Sequence, residues 1–127
     1  MPSSSIISIN VDILITAAIP DLIKVNDVNK VKAKLIVEGS NIPMDYETES
    51  LLNKKGILVI PDFVANAGGV ISSYVEYIGG SKENMFKLVK EKIIKNTKLI
   101  LEHPAKKSIP RDIALKIARE RIEKYVI

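Results

Sequence analysis

The chain has 127 residues, of which 46% are hydrophobic and 27% are charged, and its formal net charge is +4. This composition excludes a disordered chain, and the length suits one globular domain. The sequence contains no cysteine, which excludes disulfides and thiolate chemistry and favours a cytoplasmic protein. No apolar run approaches the ~20 residues that span a bilayer, so we expect no membrane partner.

Apolar runs alternate with polar, helix-like segments over the first half of the chain. Residues 1–10 form an N-terminal segment whose structure the sequence predicts poorly. From Val11 the order is strand, short helix, strand, helix and strand, carried by VDILITAA, DLIKVNDVNKVK, KLIVEGSN, DYETESLLNKKG and ILVIPDF. The short helix is predicted because its apolar residues, Leu22, Val25, Val28 and Val31, recur every three positions.

Continuous apolar strands joined by helices indicate a parallel sheet covered on both faces. We therefore predict an α/β fold, a three-layer parallel sheet of about three strands that is half of a Rossmann-like dinucleotide-binding domain, followed by C-terminal helices. The predicted helices are Asn66 to Ile78, Lys82 to Glu102, and a last helix capped by Ser108.

Basic residues outnumber acidic ones after Lys82, whereas acidic residues are in excess before it. This basic excess could indicate nucleic-acid binding. However, the lysines alternate with glutamates and apolar residues at helical spacing, and aromatic residues are nearly absent. We therefore interpret the basic residues as solvated helix faces and expect no nucleic-acid partner.

Small and amide residues follow each predicted strand, in Thr16-Ala17-Ala18, in Glu38 to Asn41, and in Asp62 to Gly69. Ligands of open α/β sheets bind outside the carboxyl ends of the strands. Asn66 and the glycine pair after it could simply cap and pack a helix. Three such strand ends in one sheet favour a ligand site instead.

Four segments together resemble a known family: VDILITAA, KVKAKLIVEGSNIP, GILVIPDFVANAGGVISSYVEY and RDIALKIARERI. Their order and spacing are similar to the C-terminal half of glutamate dehydrogenase, in the Glu/Leu/Phe/Val dehydrogenase superfamily. The resemblance implies NAD or NADP as cofactor and oxidative deamination of glutamate as the reaction. It also implies that residues 11–127 are a partial NAD(P)-binding domain with a helical tail.

The resemblance assigns roles to six residues of this sequence. It implies that Ala17, Asn41 and Asn66 lie at the nicotinamide end of the cofactor. Gly68 and Gly69 match the pair that admits the substrate, and Ser73 matches a serine that contacts the side-chain carboxylate of glutamate. From the residues alone, Ser73 could instead be a helix serine that faces solvent.

Two positions depart from the family pattern. Thr16 stands where the family has proline, and Ile42 stands where it has glycine after the asparagine. A β-branched side chain at position 42 is expected to crowd the cofactor edge or to change the backbone of the loop.

No residue of the chain matches the catalytic lysine and aspartate of the family, and the sequence contains no G-x-G-x-x-G. We predict no catalytic residue and no metal ligand, and we expect the chain to be inactive alone. It is then either part of a glutamate dehydrogenase completed by a second chain, or a non-catalytic relic or regulatory oligomeric subunit that binds a nucleotide or a partner protein. The resemblance also leaves the first strand at an open sheet edge, which predicts a homo-oligomer.

Overall fold

The computed structural model describes residues 3–105 and 108–125. The chain divides into two compact units, residues 1–66 and residues 67–127. Within the described residues, no helix has the length and apolarity needed to cross a bilayer.

The first unit is built on a parallel sheet of three strands in the order β1-β2-β3. The strands are β1 (Ile13–Thr16), β2 (Leu35–Glu38) and β3 (Leu58–Ile60). The register pairs Leu14 with Ile36 and Ile36 with Val59. These three residues are buried on one face of the sheet, which confirms the predicted α/β fold with parallel strands.

The core of the first unit extends from this buried face to the connections between the strands. Leu52 of helix α1 (Tyr46–Lys54) and Ile23 are almost fully buried in it. Ile7 belongs to the same cluster, and it lies in a 3-10 helix, Ser3–Ser8, for which the sequence carried no prediction. Burial of these side chains is what holds the connections against the sheet.

The other face of β1 differs from the expectation of a sheet covered on both sides. Ile13 is 55% exposed and Ile15 is 61% exposed. The third strand is different, because Ile60 is buried. In the described residues β1 pairs only with β2, so it lies at an edge of the sheet, as predicted.

The predicted helix between β1 and β2 is wrong. The structure has only a 3-10 turn there, Val25–Asp27, followed by an irregular segment. Val28 and Val31 are buried while Val25 is exposed. A strict spacing of three matches the 3-10 repeat better than the α-helical one, and valines and asparagines add little helix propensity.

Helix α1 begins where the sequence predicted, because Asp45 caps it. The Asp45 carboxylate accepts a hydrogen bond from the Thr48 backbone N–H at 2.8 Å. The Thr48 side chain beside Asp45, together with that N–H, lowers the pKa of the Asp45 carboxyl below its ordinary value. The helix ends at Lys54, before Gly56, which has a left-handed φ of 81°.

The chain turns helical earlier after β3 than predicted. Pro61 is followed directly by a one-turn helix, α2 (Asp62–Ala65), and Asn66 ends this helix rather than starting the next one. Pro61 has the extended backbone of an N-cap, and the Asp62 carbonyl accepts the Asn66 N–H at 2.8 Å. An acidic residue in the first turn of a helix is favoured by the helix dipole.

The described residues of the second unit form three helices, α3 (Gly68–Tyr77), α4 (Lys82–Leu101) and α5 (Pro110–Glu123). Helix α3 packs on α4. Arg121 of α5 donates hydrogen bonds from Nη1 and from Nη2 to Asn96 Oδ1 of α4, each at 3.2 Å. Ser81 caps α4 by accepting the Asn84 N–H. The predicted Ser108 cap of the last helix is wrong: Ile109 is the N-cap residue, and Pro110 occupies the first turn, where its missing N–H costs nothing.

Candidate functional site

Backbone hydrogen bonds join the loops that follow β1 and β2. The Ser40 N–H donates to the Thr16 carbonyl at 2.7 Å, and the Asp21 N–H donates to the Ile42 carbonyl at 3.0 Å. The Ser40 hydroxyl also donates to the Ile19 carbonyl at 3.3 Å. The carboxyl ends of the first two strands therefore share one hydrogen-bonded layer, as the sequence analysis required for a site at this edge.

Asn41 and Asn66 meet directly in this layer. Asn66 Nδ2 donates to Asn41 Oδ1 at 2.7 Å, although the two residues are 25 positions apart. Asn41 is exposed and Asn66 is half-buried. We call these two side chains the amide pair.

The hydrogen bond within the amide pair leaves a donor and an acceptor for a ligand. It uses the oxygen of Asn41 and one hydrogen of Asn66. The two amide hydrogens of Asn41, the second amide hydrogen of Asn66 and the oxygen Oδ1 of Asn66 remain. A carboxamide presents one acceptor oxygen and one donor NH₂ group, and a sugar hydroxyl can donate and accept. The amide pair therefore fits either end of a nicotinamide riboside chemically.

Ala17 lies at the same edge, where the backbone of Gly39 approaches it closely. A Cβ built on Gly39 would lie 3.2 Å from the Ala17 Cβ and 3.4 Å from the Thr16 carbonyl oxygen. The β1 and β2 strand ends thus approach so closely that a larger residue at position 39 would require one of them to shift. Ala17 itself is exposed, which keeps its backbone accessible to a ligand.

The two departures from the family pattern have different consequences. Thr16 is 2% exposed and faces the core side of the sheet, and no described residue hydrogen-bonds its hydroxyl. Ile42 adopts φ 45°, in the left-handed region, and its side chain is 59% exposed. The loop therefore has the backbone that suits glycine, while a β-branched residue occupies it under strain.

The substrate residues implied by the resemblance lie in the second unit. A Cβ on Gly68 would meet Val89 Cγ1 at 3.2 Å, so Gly68 allows α3 to pack on α4. A Cβ on Gly69 would meet nothing within 4 Å. Ser73 is exposed, and its hydroxyl donates to the Gly69 carbonyl at 3.1 Å. Of the glycine pair, only Gly69 faces space that a ligand could occupy.

The sequence analysis missed two buried carboxylates beside the amide pair. Glu38 at the end of β2 is fully buried, and Asp62 at the start of α2 is 7% exposed. Glu38 Oε2 accepts the Asp62 N–H at 2.8 Å, and Asp62 Oδ2 accepts the Ile42 N–H at 3.0 Å. A signal for Glu38 was present in the sequence, because it lies two residues after Ile36 on β2 and so points to the same buried face of the strand.

A metal site finds no support in the part of the chain that the structure describes, where no three metal-ligating side chains cluster. His103 Nδ1 accepts the Ala105 N–H at 3.2 Å, a local turn contact.

Comparison with solved structures defines the class of fold. The crystal structure of L-tryptophan dehydrogenase from Nostoc punctiforme matches with a TM-score of 0.85 and 32% identity, over 95% of this chain and 37% of that one. A hetero-hexameric glutamate dehydrogenase from Thermus thermophilus has the same fold, with a TM-score of 0.84 at 23% identity over 98% of this chain and 32% of that one. The fold is thus the Rossmann-like α/β fold of amino-acid dehydrogenases.

Sequence comparison then gives the family. The model of the Glutamate/Leucine/Phenylalanine/Valine dehydrogenase family matches residues 1–124, and the chain belongs to this family. It is 41% identical to a glutamate dehydrogenase of Aeropyrum pernix and 39% identical to an NADP-specific glutamate dehydrogenase of Saccharolobus shibatae. These alignments cover 92% and 87% of the chain, but only 31% and 28% of the relatives. The chain therefore spans about a third of the length of the curated relatives it matches.

Proposed function

We propose that this chain is the nicotinamide- and substrate-holding part of an NAD(P)-dependent glutamate dehydrogenase. In this proposal, residues 11–127 are a partial NAD(P)-binding Rossmann-like domain with a helical tail. Catalysis needs a polypeptide region that supplies the lysine, the aspartate and the phosphate-binding loop, which no residue of this sequence matches. NAD or NADP, when bound, would accept the hydride from the amino acid.

The amide pair is the observation that carries the proposal. Asn41 Nδ2 and Asn66 Oδ1 offer a donor and an acceptor side by side, held by the 2.7 Å hydrogen bond between the two side chains. Fixed polar groups at a strand-end edge are what a preorganised nucleotide site requires. Ala17 and Gly39 keep the neighbouring backbone free of bulky side chains.

Gly69 and Ser73 are proposed to accommodate glutamate. Gly69 leaves open space where its Cβ would be. The Ser73 hydroxyl now donates to a neutral carbonyl at 3.1 Å. A carboxylate is the stronger acceptor, because hydrogen bonds to a charged group are roughly twice as strong as neutral ones. The hydroxyl would therefore rotate toward a substrate carboxylate that came within reach.

Calorimetric titration of the chain with NAD and with NADP, each with and without glutamate, tests the cofactor part. We expect saturable binding that Asn41→Ala or Asn66→Ala weakens about tenfold or more, since each removes a hydrogen-bonding group aimed at the ligand. Asn26→Ala is the matched control, because Asn26 is an exposed asparagine of the same unit. If all three variants bind the nucleotide as tightly as the unchanged chain does, the role of the amide pair is contradicted.

The exposed face and open edge of β1 lead us to propose a homo-oligomer. The isoleucines at positions 13 and 15 are more than half exposed on a strand that pairs on one side only among the described residues. Ile15→Lys is expected to weaken association in sedimentation experiments, because it places a charge on this face. Ile122→Lys, at a site of similar exposure (63% against 61%), is the control. A monomer at every concentration would contradict the proposal.

A regulatory subunit without catalytic activity is the second candidate. Ile42 favours it, because this exposed β-branched residue follows Asn41 at the position where the resembled family has glycine. The fold also occurs in an assembly of unlike chains, the hetero-hexameric enzyme of Thermus thermophilus. No heat with either nucleotide, together with oligomer formation, would favour this candidate. Saturable turnover of glutamate by the chain alone would refute both candidate functions.

We propose a cytoplasmic location for the protein, because its sequence contains no cysteine.

A further inference from the structure

Glu38 and Asp62 are carboxylates inside a core, where a charged group is costly unless it is hydrogen-bonded. Glu38 is fully buried and accepts the Asp62 N–H, which fixes the start of α2 to the end of β2. Asp62 in turn accepts the Ile42 N–H from the loop after β2. The two side chains therefore connect three segments at the strand-end edge.

The contacts of Asp62 close a ring through the amide pair. Its side-chain oxygen Oδ2 accepts the Ile42 N–H at 3.0 Å, and its carbonyl accepts the Asn66 N–H at 2.8 Å. Asn66 Nδ2 donates to Asn41 Oδ1, and Asn41 is covalently followed by Ile42. Asp62 thus binds the backbone N–H of Asn66 with its carbonyl, and its side chain binds the N–H of Ile42, the residue that follows Asn41.

We propose that Asp62 is the positioning residue of the amide pair and that Glu38 holds Asp62 in place. Ile42 gives this contact its importance, because its left-handed backbone, with φ 45°, is unfavourable for a β-branched residue. Without the Asp62 carboxylate, the loop is released toward an ordinary φ, and Asn41 moves away from Asn66. A helix-capping role alone would not require a bond to Ile42, 20 residues away.

This inference rests on the proposed function only for the identity of the ligand, and its first test needs no ligand. Nuclear magnetic resonance of the full chain gives the rate at which the Asn66 side-chain amide exchanges with water, and the cross-relaxation between the Asn41 and Asn66 amides. In Asp62→Ala we expect about 2- to 12-fold faster exchange, the range for losing one net hydrogen bond, and loss of the cross-relaxation.

Asp45→Ala is the matched control, because it also removes an aspartate that binds a backbone N–H at the start of a helix, at 2.8 Å. It should leave the Asn66 amide unchanged. Asp62→Asn keeps a neutral acceptor for the Ile42 N–H, and its Asn66 exchange rate should lie between those of the unchanged chain and Asp62→Ala. If Asp62→Ala does not fold, Asp62→Asn decides, since a rate equal to that of the unchanged chain overturns the proposal.

Titration with NADH separates this inference from the proposed function. If the unchanged chain binds NADH, Asp62→Ala should weaken binding about 5- to 10-fold, while Asp45→Ala leaves it unchanged, and equal weakening by both overturns the positioning role. If the unchanged chain does not bind NADH, the proposed nucleotide binding by this chain is refuted. The exchange rates of Asn66 still decide whether Asp62 positions the amide pair.

Discussion

Replacement of Ile42 tests directly whether the loop beside Asn41 is strained. A left-handed backbone costs an L-residue about 1–2 kcal/mol, and glycine escapes this cost. At ordinary φ the order reverses, because glycine is about 0.5–1 kcal/mol less favourable than alanine. Since Ile42 has φ 45°, we expect Ile42→Gly to be more stable than Ile42→Ala by about 1 kcal/mol. Both variants lose the same mostly exposed side chain, so burial cancels in the comparison.

Ile19 is the matched control for this prediction. It is 49% exposed, lies in the same unit, and does not have a left-handed backbone. There we expect Ile19→Ala to exceed Ile19→Gly in stability by about 0.5–1 kcal/mol. Urea unfolding measures all four variants, and thermal midpoints should separate by about 3–6 °C per kcal/mol for a chain of this size. If alanine equals or exceeds glycine at position 42, the left-handed loop and the ring built on it are refuted.

Three further outcomes are expected from single substitutions. Gly68→Ala should be less stable than Gly69→Ala by about 1 kcal/mol or more in urea unfolding, because its Cβ would lie 3.2 Å from Val89 Cγ1, whereas both substitutions gain the same helix propensity. Gly69→Ala should instead be neutral or stabilising by up to about 1 kcal/mol while weakening any glutamate binding seen by calorimetry. Asp45→Asn, which keeps a capping side chain, should lower the free energy of unfolding at neutral pH. The folded state lowers the pKa of the Asp45 carboxyl below its ordinary value of 3.8. The difference in unfolding free energy between the unchanged chain and Asp45→Asn should therefore disappear as the pH falls through that lowered pKa. A difference that stays constant with pH would contradict this prediction.

The sheet was predictable because its signals are local and strong. Each strand is a short run of β-branched and aliphatic residues, and Asp45 and Gly56 mark the start and end of α1 in the sequence itself. The segment between β1 and β2 was not predictable in this way. Its valines recur every three residues, which suggested one face of a helix, but burial of Val28 and Val31 in the core decides the backbone there, and this depends on residues far away in the sequence.

The candidate site was predictable in its members but not in its connections. The strand-end position of Asn41 and Asn66 follows from parallel topology, which brings the carboxyl ends of all strands to one edge. The direct bond between them depends on the early start of α2, which places Asn66 at the end of a helical turn rather than at its beginning. The burial of Asp62 depends on the same turn and could not be predicted from the sequence pattern, whereas the burial of Glu38 follows from its position two residues after Ile36 on β2.

The glycines at positions 39, 68 and 69 have different physical roles. A Cβ at Gly39 or Gly68 would lie 3.2 Å from Ala17 or Val89, so close packing favours glycine at both positions with or without a ligand. Gly69 has no such neighbour within 4 Å, and helix propensity alone would favour alanine there. A ligand is therefore the stronger explanation for Gly69 than for the other two, and the contrast between Gly68→Ala and Gly69→Ala separates packing from binding within two consecutive residues.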